Sequence, residues 1–305
     1  MLRLRRLLAP FVLCIALLFS EAQAFTIAWL SDTQNYHNAY KPIFDGMTQW
    51  IADNRAALDI RFVFHTGDVV GSWSSEDQWR QARESMDILS SASIPFLAAC
   101  GNHDIGYRMN YANFLKYMLS LRPASMSQEY GDTGSRYELF SANGRDYIFM
   151  GIAFSNKGPS EDEVNWINGV LRQYSSRDAI IITHSYLKKS ADYTTQGKAI
   201  FEKIVKANPN VFLVLCGHCR DISEKSVQLD DDGDGDPDRT VYAILSNFQG
   251  GKAGGGGYMR ILDFRDSDIY IYTYSPYYDS CEYPKYPKGK TEATVPLPRL
   301  RYMAK

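Results

Sequence analysis

Five apolar runs in the sequence each end in a residue type that binds metal ions in proteins. These residues are Asp32, Asp68, Asn102, His184 and His218. Asp32 and Asp68 are 36 residues apart and the last two of the five are 34 apart, close to the ~30 residues of one strand–helix–strand unit. Because each such unit returns the chain to the same edge of a sheet, we expect the five side chains to converge. Their carboxylate, amide and imidazole groups are donors preferred by Mn, Fe, Zn or Mg ions.

A pair of such ions, bridged by one carboxylate, suits a displacement at phosphorus. Two ions ~3.5–4 Å apart clamp the attacking and leaving oxygens, and Asp68, which follows a glycine, is the predicted bridging carboxylate. A metal-bound hydroxide would attack, and His103 is the predicted proton donor, contributing about 10²–10⁴-fold. Asp104 is expected to orient the imidazole of His103. The sequence therefore predicts hydrolysis of a small-molecule phosphate ester.

Five motifs in register carry a family resemblance. Asp-x-Gln, Gly-Asp, Gly-Asn-His-Asp, a lone His and Gly-His follow one another across roughly residues 25–264, and they resemble the calcineurin-like metallophosphoesterases. The resemblance implies an α/β fold, a four-layer αββα sandwich of two mixed β-sheets flanked by helices. It also implies a dinuclear centre in which Asp32, Gln34 and Asp68 hold the first ion. The implied ligands of the second ion are Asp68, Asn102, His184 and His218.

Two positions depart from the pattern of the wider family. Gln34 stands where histidine is usual, as in a subgroup with Asp-Thr-Gln, and its amide oxygen can still bind a hard ion. Arg220 replaces the last histidine of Gly-His-x-His, and a guanidinium cannot bind a cation. Arg220 therefore either grips a phosphate oxygen of the substrate or marks a centre that has lost turnover. The alternative function is a secreted phosphate- or metal-binding protein on the same fold.

The segments between the strand ends must bring them together. Apolar residues recur at helical spacing over 43–51 and 79–89, which predicts two crossover helices packed on the sheet. The 82 residues from Asn102 to His184 exceed one crossover, and segment 107–136 is either a rim over the site or a surface excursion. His65 is predicted to be a hydrogen-bonded core histidine. Gly-rich segment 250–257 lacks the Lys-Ser ending of a phosphate loop, so it is predicted to be a flexible connection near the site.

The first 24 residues have the pattern of an export signal. A basic head, an apolar run from Leu7 to Phe19 and an Ala-x-Ala end are typical of a cleaved secretory signal peptide, with an uncleaved anchor as the alternative. We expect a secreted or periplasmic protein with its catalytic domain at 25–276, a Pro/Tyr-rich tail at 277–305 and no stable membrane span after cleavage. The formal charge of -2 indicates no basic patch, so no nucleic-acid partner is expected. The oligomeric state stays open.

Two further features concern export and a second cation. Cys219 and Cys281 are the likeliest disulfide pair if the exported protein forms one. Segment 230–238 carries carboxylates on alternate residues, in the manner of a calcium loop. It is predicted to be a hairpin tip that binds a structural Ca²⁺ ion, with a solvated acidic turn as the alternative. The predicted calcium ligands are Asp230, Asp232, Asp234 and Asp236.

Overall fold

The computed structural model describes residues 24–119, 127–287 and 291–298, and within them the chain forms two β-sheets with flanking helices. The strands are β1 (Phe25–Leu30), β2 (Ile60–His65), β3 (Phe96–Ala98), β4 (Ser127–Glu129), β5 (Arg136–Ala142), β6 (Arg145–Ile152), β7 (Asp178–Thr183), β8 (Val211–Cys216), β9 (Ile222–Leu229), β10 (Arg239–Ser246), β11 (Met259–Phe264), β12 (Asp268–Tyr274) and β13 (Ala293–Pro296). The helices are α1 (Lys41–Asp53), α2 (Glu76–Ser91), α3 (Ala112–Met118), α4 (Glu161–Gln173) and α5 (Thr195–Ile200), the last continued by a π-helical turn at Phe201–Val205.

Both sheets are mixed. Among the described residues, the first sheet has six strands in the order β13-β12-β11-β1-β2-β3, and the second has seven in the order β4-β5-β6-β7-β8-β10-β9. Strands β1, β2 and β3 run parallel, as do β6, β7, β8 and β10. The remaining neighbours pair antiparallel. The parallel strands therefore bring their carboxyl ends to one edge of each sheet.

Apolar side chains fill three layers. Aromatic residues such as Phe64 and Phe149 lie between the sheets, with ring centroids 4.8 Å apart and the rings edge to face. Helices α1, α2 and α3 cover the outer face of the first sheet, and α4 and α5 cover that of the second. Strand β1 is buried along its whole length, as expected for an apolar run covered on both faces. The prediction of an αββα sandwich is confirmed.

The crossover helices follow their sequence patterns. Helix α1 buries Ile43, Met47 and Ile51 on one face. Helix α2 begins after Ser75, whose hydroxyl accepts a hydrogen bond from the amide of Gln78 at 3.3 Å and so satisfies a free helix N–H group. Each helix returns the chain to the edge from which the next parallel strand starts.

The ends and the long insertion differ in part from expectation. The described residues do not include 1–23 of the predicted signal peptide. They also do not include 120–126 of segment 107–136. The described part of that segment contains α3, whose Phe114 is buried in the core, and edge strand β4. Beyond the predicted domain end at 276, β13 pairs with β12 and buries Val295, so the tail extends the first sheet. Among the described residues, no helix is both long and apolar enough to cross a bilayer.

Candidate metal centre

The predicted ligands come together where five parallel strands end. Asp32, Asp68 and Asn102 follow β1, β2 and β3 of one sheet, and the two histidines follow β7 and β8 of the other. Asp32, Asp68 and His218 have φ values of 51°, 53° and 71°. This left-handed conformation is uncommon outside glycine, and it concentrates at functional sites because the surrounding structure must stabilise it. The sharp turns project these side chains over the sheet edge.

His184 lies at the middle of the second-ion ligand set. Its Nδ1 donates to the carbonyl oxygen of Thr66 at 2.9 Å, which directs Nε2 toward the other ligands. Nε2 lies 3.0 Å from Oδ1 of Asn102, 3.2 Å from Oδ1 of Asp68 and 3.2 Å from Nδ1 of His218. Together with Nε2 they form a cluster of four oxygen and imidazole nitrogen atoms, which are the donor types that a divalent cation prefers. The second-ion set therefore fits a metal ion.

Electrostatics at this set point to the same conclusion. Burial alone lowers the pKa of His184, but the carboxylates of Asp68 and Asp32 raise it to about 9. Burial and the neighbouring His184 lower the pKa of His218 to about 4. The site thus concentrates negative charge that a bound cation, or a proton on His184, balances.

The first-ion ligand set is arranged differently. Asp32 is buried, and its carboxylate accepts from the backbone amide of His218 at 3.3 Å and from the hydroxyl of Ser31. Gln34 donates its NH₂ group to Oδ2 of Asp68 at 2.9 Å and to Oε1 of Gln249 at 2.8 Å. The predicted oxygen ligand of Gln34 is therefore turned away from Asp68, and a half-turn of the amide would present it. Burial, reinforced by Asp68 and opposed by His184, raises the pKa of Asp32 to about 7.

Glycines in the motifs allow the backbone to approach the carboxylates. A Cβ on Gly101 would lie 2.2 Å from the amide nitrogen and 2.3 Å from Oδ1 of Asp68. A Cβ on Gly217 would lie 2.3 Å from Oδ2 of Asp32. A side chain at either position would displace a ligand, which explains the glycines of Gly-Asn-His-Asp and Gly-His.

His103, the predicted proton donor, lies next to a ligand residue and has an exposed side chain. It is exposed beside Asn102, and its backbone amide donates to Oδ1 of Asp68 at 2.9 Å. Its ring Nδ1 donates to the carbonyl oxygen of Gly71 at 3.0 Å, which orients the ring and leaves Nε2 for a substrate.

The role predicted for Asp104 is wrong. Its carboxylate is buried and accepts from the backbone amides of Gly101 at 2.8 Å, Val69 at 2.8 Å and Val70 at 3.1 Å. It therefore ties the loop after β3 to the loop after β2, and Gly71 orients the imidazole instead. Burial and the charge of Asp68 raise the pKa of Asp104 to about 7, while the amide donors act in the opposite direction.

Arg220 lies beside the centre but outside the ligand sets. It is exposed, and among the described residues its guanidinium makes no hydrogen bond or ion pair. A Cβ built on Gly250 would lie 3.7 Å from Cδ of Arg220, so its aliphatic part packs against that glycine. The cationic end is available to an anionic ligand.

Gln249 and Asn247 are site residues that the sequence analysis missed. The amide of Gln249 donates to Oδ1 of Asp32 at 3.3 Å. Asn247 donates to the carbonyl oxygen of His218 at 3.1 Å and accepts from the amide nitrogen of Gln249 at 2.9 Å. Both follow β10, which runs parallel to β8. The sequence signal for both was the run of polar residues after β10, of the same kind as those after the five strands that carry the predicted ligands.

The remaining predicted sites have separate outcomes. His65 is buried and hydrogen-bonded to Thr33 and to the amide of Gly67, both at 3.0 Å, which confirms it as a core histidine. Burial and His184 lower its pKa to about 3. Among the described residues, Cys219 and Cys281 are free thiols, so the expected disulfide is absent from the structure.

Segment 230–238 forms the predicted hairpin tip between β9 and β10. Carboxylate oxygens of Asp230, Asp232 and Asp238 lie within 4.8 Å of one another. Asp234 and Asp236 lie outside this group; the backbone amides of both and the carboxylate of Asp234 take part in local turns. The calcium site stays a prediction.

Comparison with known proteins places this geometry in a family. The sequence model of the calcineurin-like phosphoesterases matches residues 25–219. An uncharacterized protein, YvnB from Bacillus subtilis (strain 168), is 41% identical over 259 residues, which cover 83% of this chain and 20% of that relative. The chain therefore spans about a fifth of the length of the curated relative it matches.

Solved structures with low sequence identity share the fold. A dimetal phosphatase from Danio rerio is 12% identical with a TM-score of 0.60 and covers 89% of this chain and 98% of its own. GAP50, the anchor in the inner membrane complex of Plasmodium, is 13% identical with a TM-score of 0.58, covering 91% and 90%. A purple acid phosphatase from yellow lupin is 12% identical with a TM-score of 0.58, covering 90% and 55%. With the matched motifs and the two-sheet fold, the chain belongs to the calcineurin-like phosphoesterase family.

Proposed function

We propose that this chain is an exported metal-dependent phosphoesterase that hydrolyses small phosphate mono- or diesters. The observation that carries the proposal is the convergence of three ligand atoms on Nε2 of His184, a fourth ligand atom, with exposed His103 next to Asn102 in the chain. Membership of a family of metal-dependent phosphoesterases supports the reaction class. The signal-like residues 1–24 support export.

Each polar group of the centre has a proposed part in the reaction. The two ligand sets would hold Mn, Fe, Zn or Mg ions, which would supply positive charge at phosphorus and lower the pKa of a water molecule. His103, protonated on both ring nitrogens, gives the Nε2 proton to the leaving oxygen and becomes neutral, while its Nδ1–H stays bonded to Gly71. Arg220 binds a phosphate oxygen with its forked guanidinium and so adds positive charge where the first-ion set lacks a histidine.

The second candidate is a phosphate- or metal-binding protein without turnover. Two observations favour it: Arg220 replaces a ligand, and Gln34 turns its NH₂ group toward Asp68. The shared fold also includes GAP50, whose stated role is that of an anchor.

Metal content and turnover decide between the two candidates. The mature protein is freed of metal with a chelator and reloaded with Mn²⁺, and its ions are counted by elemental analysis. Release of 4-nitrophenol from 4-nitrophenyl phosphate and from its bis ester is then measured. Mn²⁺-dependent turnover by the wild type supports the enzyme. If Arg220→His turns over either ester and the loaded wild type turns over neither, the protein is a binder.

A further inference from the structure

A cavity of about 800 Å³ lies between Gly-rich segment 250–257 and tail residues 278–285. We call it the tyrosine cavity, because Tyr258, Tyr278 and Tyr283 line it. Its volume is that of a small-molecule site, and its wall combines aromatic rings with a few polar groups. Neither the ligand sets nor His103 accounts for it.

The Gly-rich wall of the tyrosine cavity continues along the chain into the metal centre. Gly250 lines the cavity and directly follows Gln249, whose amide donates to Asp32 at 3.3 Å. Arg220 packs against the same glycine. On the other side, Lys285 donates to Oδ2 of Asp221 at 3.0 Å, three residues after His218. Both walls are therefore fixed to loops that carry site residues.

The tyrosines form one packed aromatic group. Ring centroids of Tyr258 and Tyr283 are 4.9 Å apart in an edge-to-face arrangement, and those of Tyr258 and Tyr278 are 5.8 Å apart. Tyr258 is further fixed by its hydroxyl, which donates to the carbonyl oxygen of Glu282 at 2.6 Å. Tyr258 and Tyr283 are buried, whereas Tyr278 is 44% exposed. Tyr278 thus offers ring surface to a ligand on a rigid aromatic base.

The glycines let these rings pack against the backbone. A Cβ on Gly251 would lie 3.2 Å from the hydroxyl oxygen of Tyr283. Gly256, at a φ of 63°, would bring a Cβ within 2.3 Å of the Tyr278 ring. Side chains at these positions would displace the rings, so the Gly-rich segment serves the shape of the tyrosine cavity.

Charge at the cavity suits an anionic molecule with an apolar part. Lys252 is exposed, and like Arg220 it makes no hydrogen bond or ion pair among the described residues. Lys285 pairs with Asp221, which also pairs with Lys189, and Glu282 adds one negative charge at the wall. Lys252 lines the cavity two residues after Gly250, and Arg220 packs its aliphatic part against Gly250.

We propose that the tyrosine cavity receives the organic group of the substrate, and that this group is a planar aromatic or heteroaromatic ring stacked on Tyr278. The proposal rests on the proposed phosphoesterase function, because the phosphate at the metal centre positions the ring. Arg220 and Lys252 flank the phosphate side. The substrate class is therefore ring-bearing phosphate esters in preference to aliphatic ones.

The test compares a planar ring with a saturated ring of similar size. Benzyl and cyclohexylmethyl phosphates, as mono- and diesters, have equal charge and leaving groups of nearly equal basicity. KM and kcat come from released alcohol with the Mn²⁺-loaded protein. We expect the benzyl ester to have a KM about 2–10-fold lower, the worth of one aromatic contact. Tyr278→Leu should bring the two KM values together, Tyr278→Trp should preserve the difference, and Tyr40→Leu is the matched exposed-tyrosine control.

Binding of non-hydrolysable analogues separates the two proposals. Dissociation constants of benzylphosphonate and cyclohexylmethylphosphonate are measured by calorimetry with the same proteins. Equal constants for the wild type, or a ratio unaffected by Tyr278→Leu, would overturn the aromatic subsite even if esters are hydrolysed. A ratio that favours benzylphosphonate and depends on Tyr278, without turnover of any ester, would keep the subsite and reject the enzyme.

Discussion

The two halves of the centre are built from different groups, although they share Asp68. In the second-ion set, four strand ends bring together two imidazoles, a carboxylate and an amide oxygen, and the other three groups each lie 3.0–3.2 Å from Nε2 of His184. In the first-ion set, hydrogen bonds from Gln34 and Gln249 link the carboxylates of Asp68 and Asp32. Side-chain amides hold the first half together by hydrogen bonds, whereas the second half offers the oxygen and nitrogen donors that a divalent cation prefers.

This difference implies unequal affinities for metal. An imidazole or carboxylate is a stronger donor to a divalent ion than a carboxamide, and the first-ion set has lost a histidine position to Arg220. The guanidinium also adds a positive charge nearby. We therefore expect one tightly bound ion at the second set and a weakly bound ion at the first.

The largest expected effect comes from the residue common to both halves. Asp68→Asn removes the bridging charge, so both ions should be lost and turnover should fall to the uncatalysed rate. Elemental analysis and 4-nitrophenyl ester hydrolysis measure the two effects. In Gln34→Ala, the matched variant, only the first set is altered and one ion should remain. Two ions retained in Asp68→Asn would contradict the shared-carboxylate arrangement.

Removal of the proton donor should leave both halves intact. His103→Gln is expected to lower kcat by about 10²–10⁴-fold with unchanged metal content, because the side chain touches no ion. His37→Gln is the control, since its ring contacts only the neighbouring Asn38 among the described residues. Wild-type kcat in His103→Gln would assign the leaving-group proton to another source.

A titration with metal tests directly whether the two ligand sets differ in affinity. Calorimetry of the metal-free protein with Mn²⁺ should resolve one tight and one weak ion. Arg220→His should tighten the weak ion by about 10–100-fold, the scale on which groups around a metal site alter its affinity. Arg220→Lys keeps the positive charge and supplies no ligand, so this variant should not raise the affinity for the weakly bound ion. Two equal ions in the wild type would abolish the distinction between the halves.

Asp104 should matter for stability more than for chemistry. Asp104→Asn replaces an acceptor of three backbone amides, so unfolding in urea should require about 1–3 kcal/mol less free energy. Asp53→Asn, an exposed carboxylate, serves as control. If stability is unchanged and only kcat falls, Asp104 acts on His103 after all.

The smallest expected effect is that of calcium on segment 230–238, which lies far from either half of the centre. Millimolar Ca²⁺ should raise the melting temperature by a few degrees through the carboxylates of segment 230–238, by mass action on the folded state. Asp230→Asn should abolish the shift and leave ester hydrolysis unchanged. A shift that survives the substitution would place calcium elsewhere.

The sequence predicted the strand ends well and their finer contacts poorly. Asp32, Asp68, Asn102, His184 and His218 all follow apolar runs, and the structure places them at one edge. Gln249 follows such a run too, but it reaches Asp32 across 217 residues. Asp104 was assigned to its sequence neighbour His103, whereas its carboxylate points beneath the loop to the amides of Val69 and Val70.

The sequence by itself identified the family, because the strand-end motifs are local patterns, and the resemblance to that family implied the two-sheet sandwich and the ligand sets. Only the tertiary structure decided that Gln34 turns its NH₂ group to Asp68, that Gly71 orients His103, and that the Gly-rich segment and the tail enclose the tyrosine cavity. These features depend on loops distant in sequence, whose conformations are fixed by packing and hydrogen bonds between them rather than by local residue preferences.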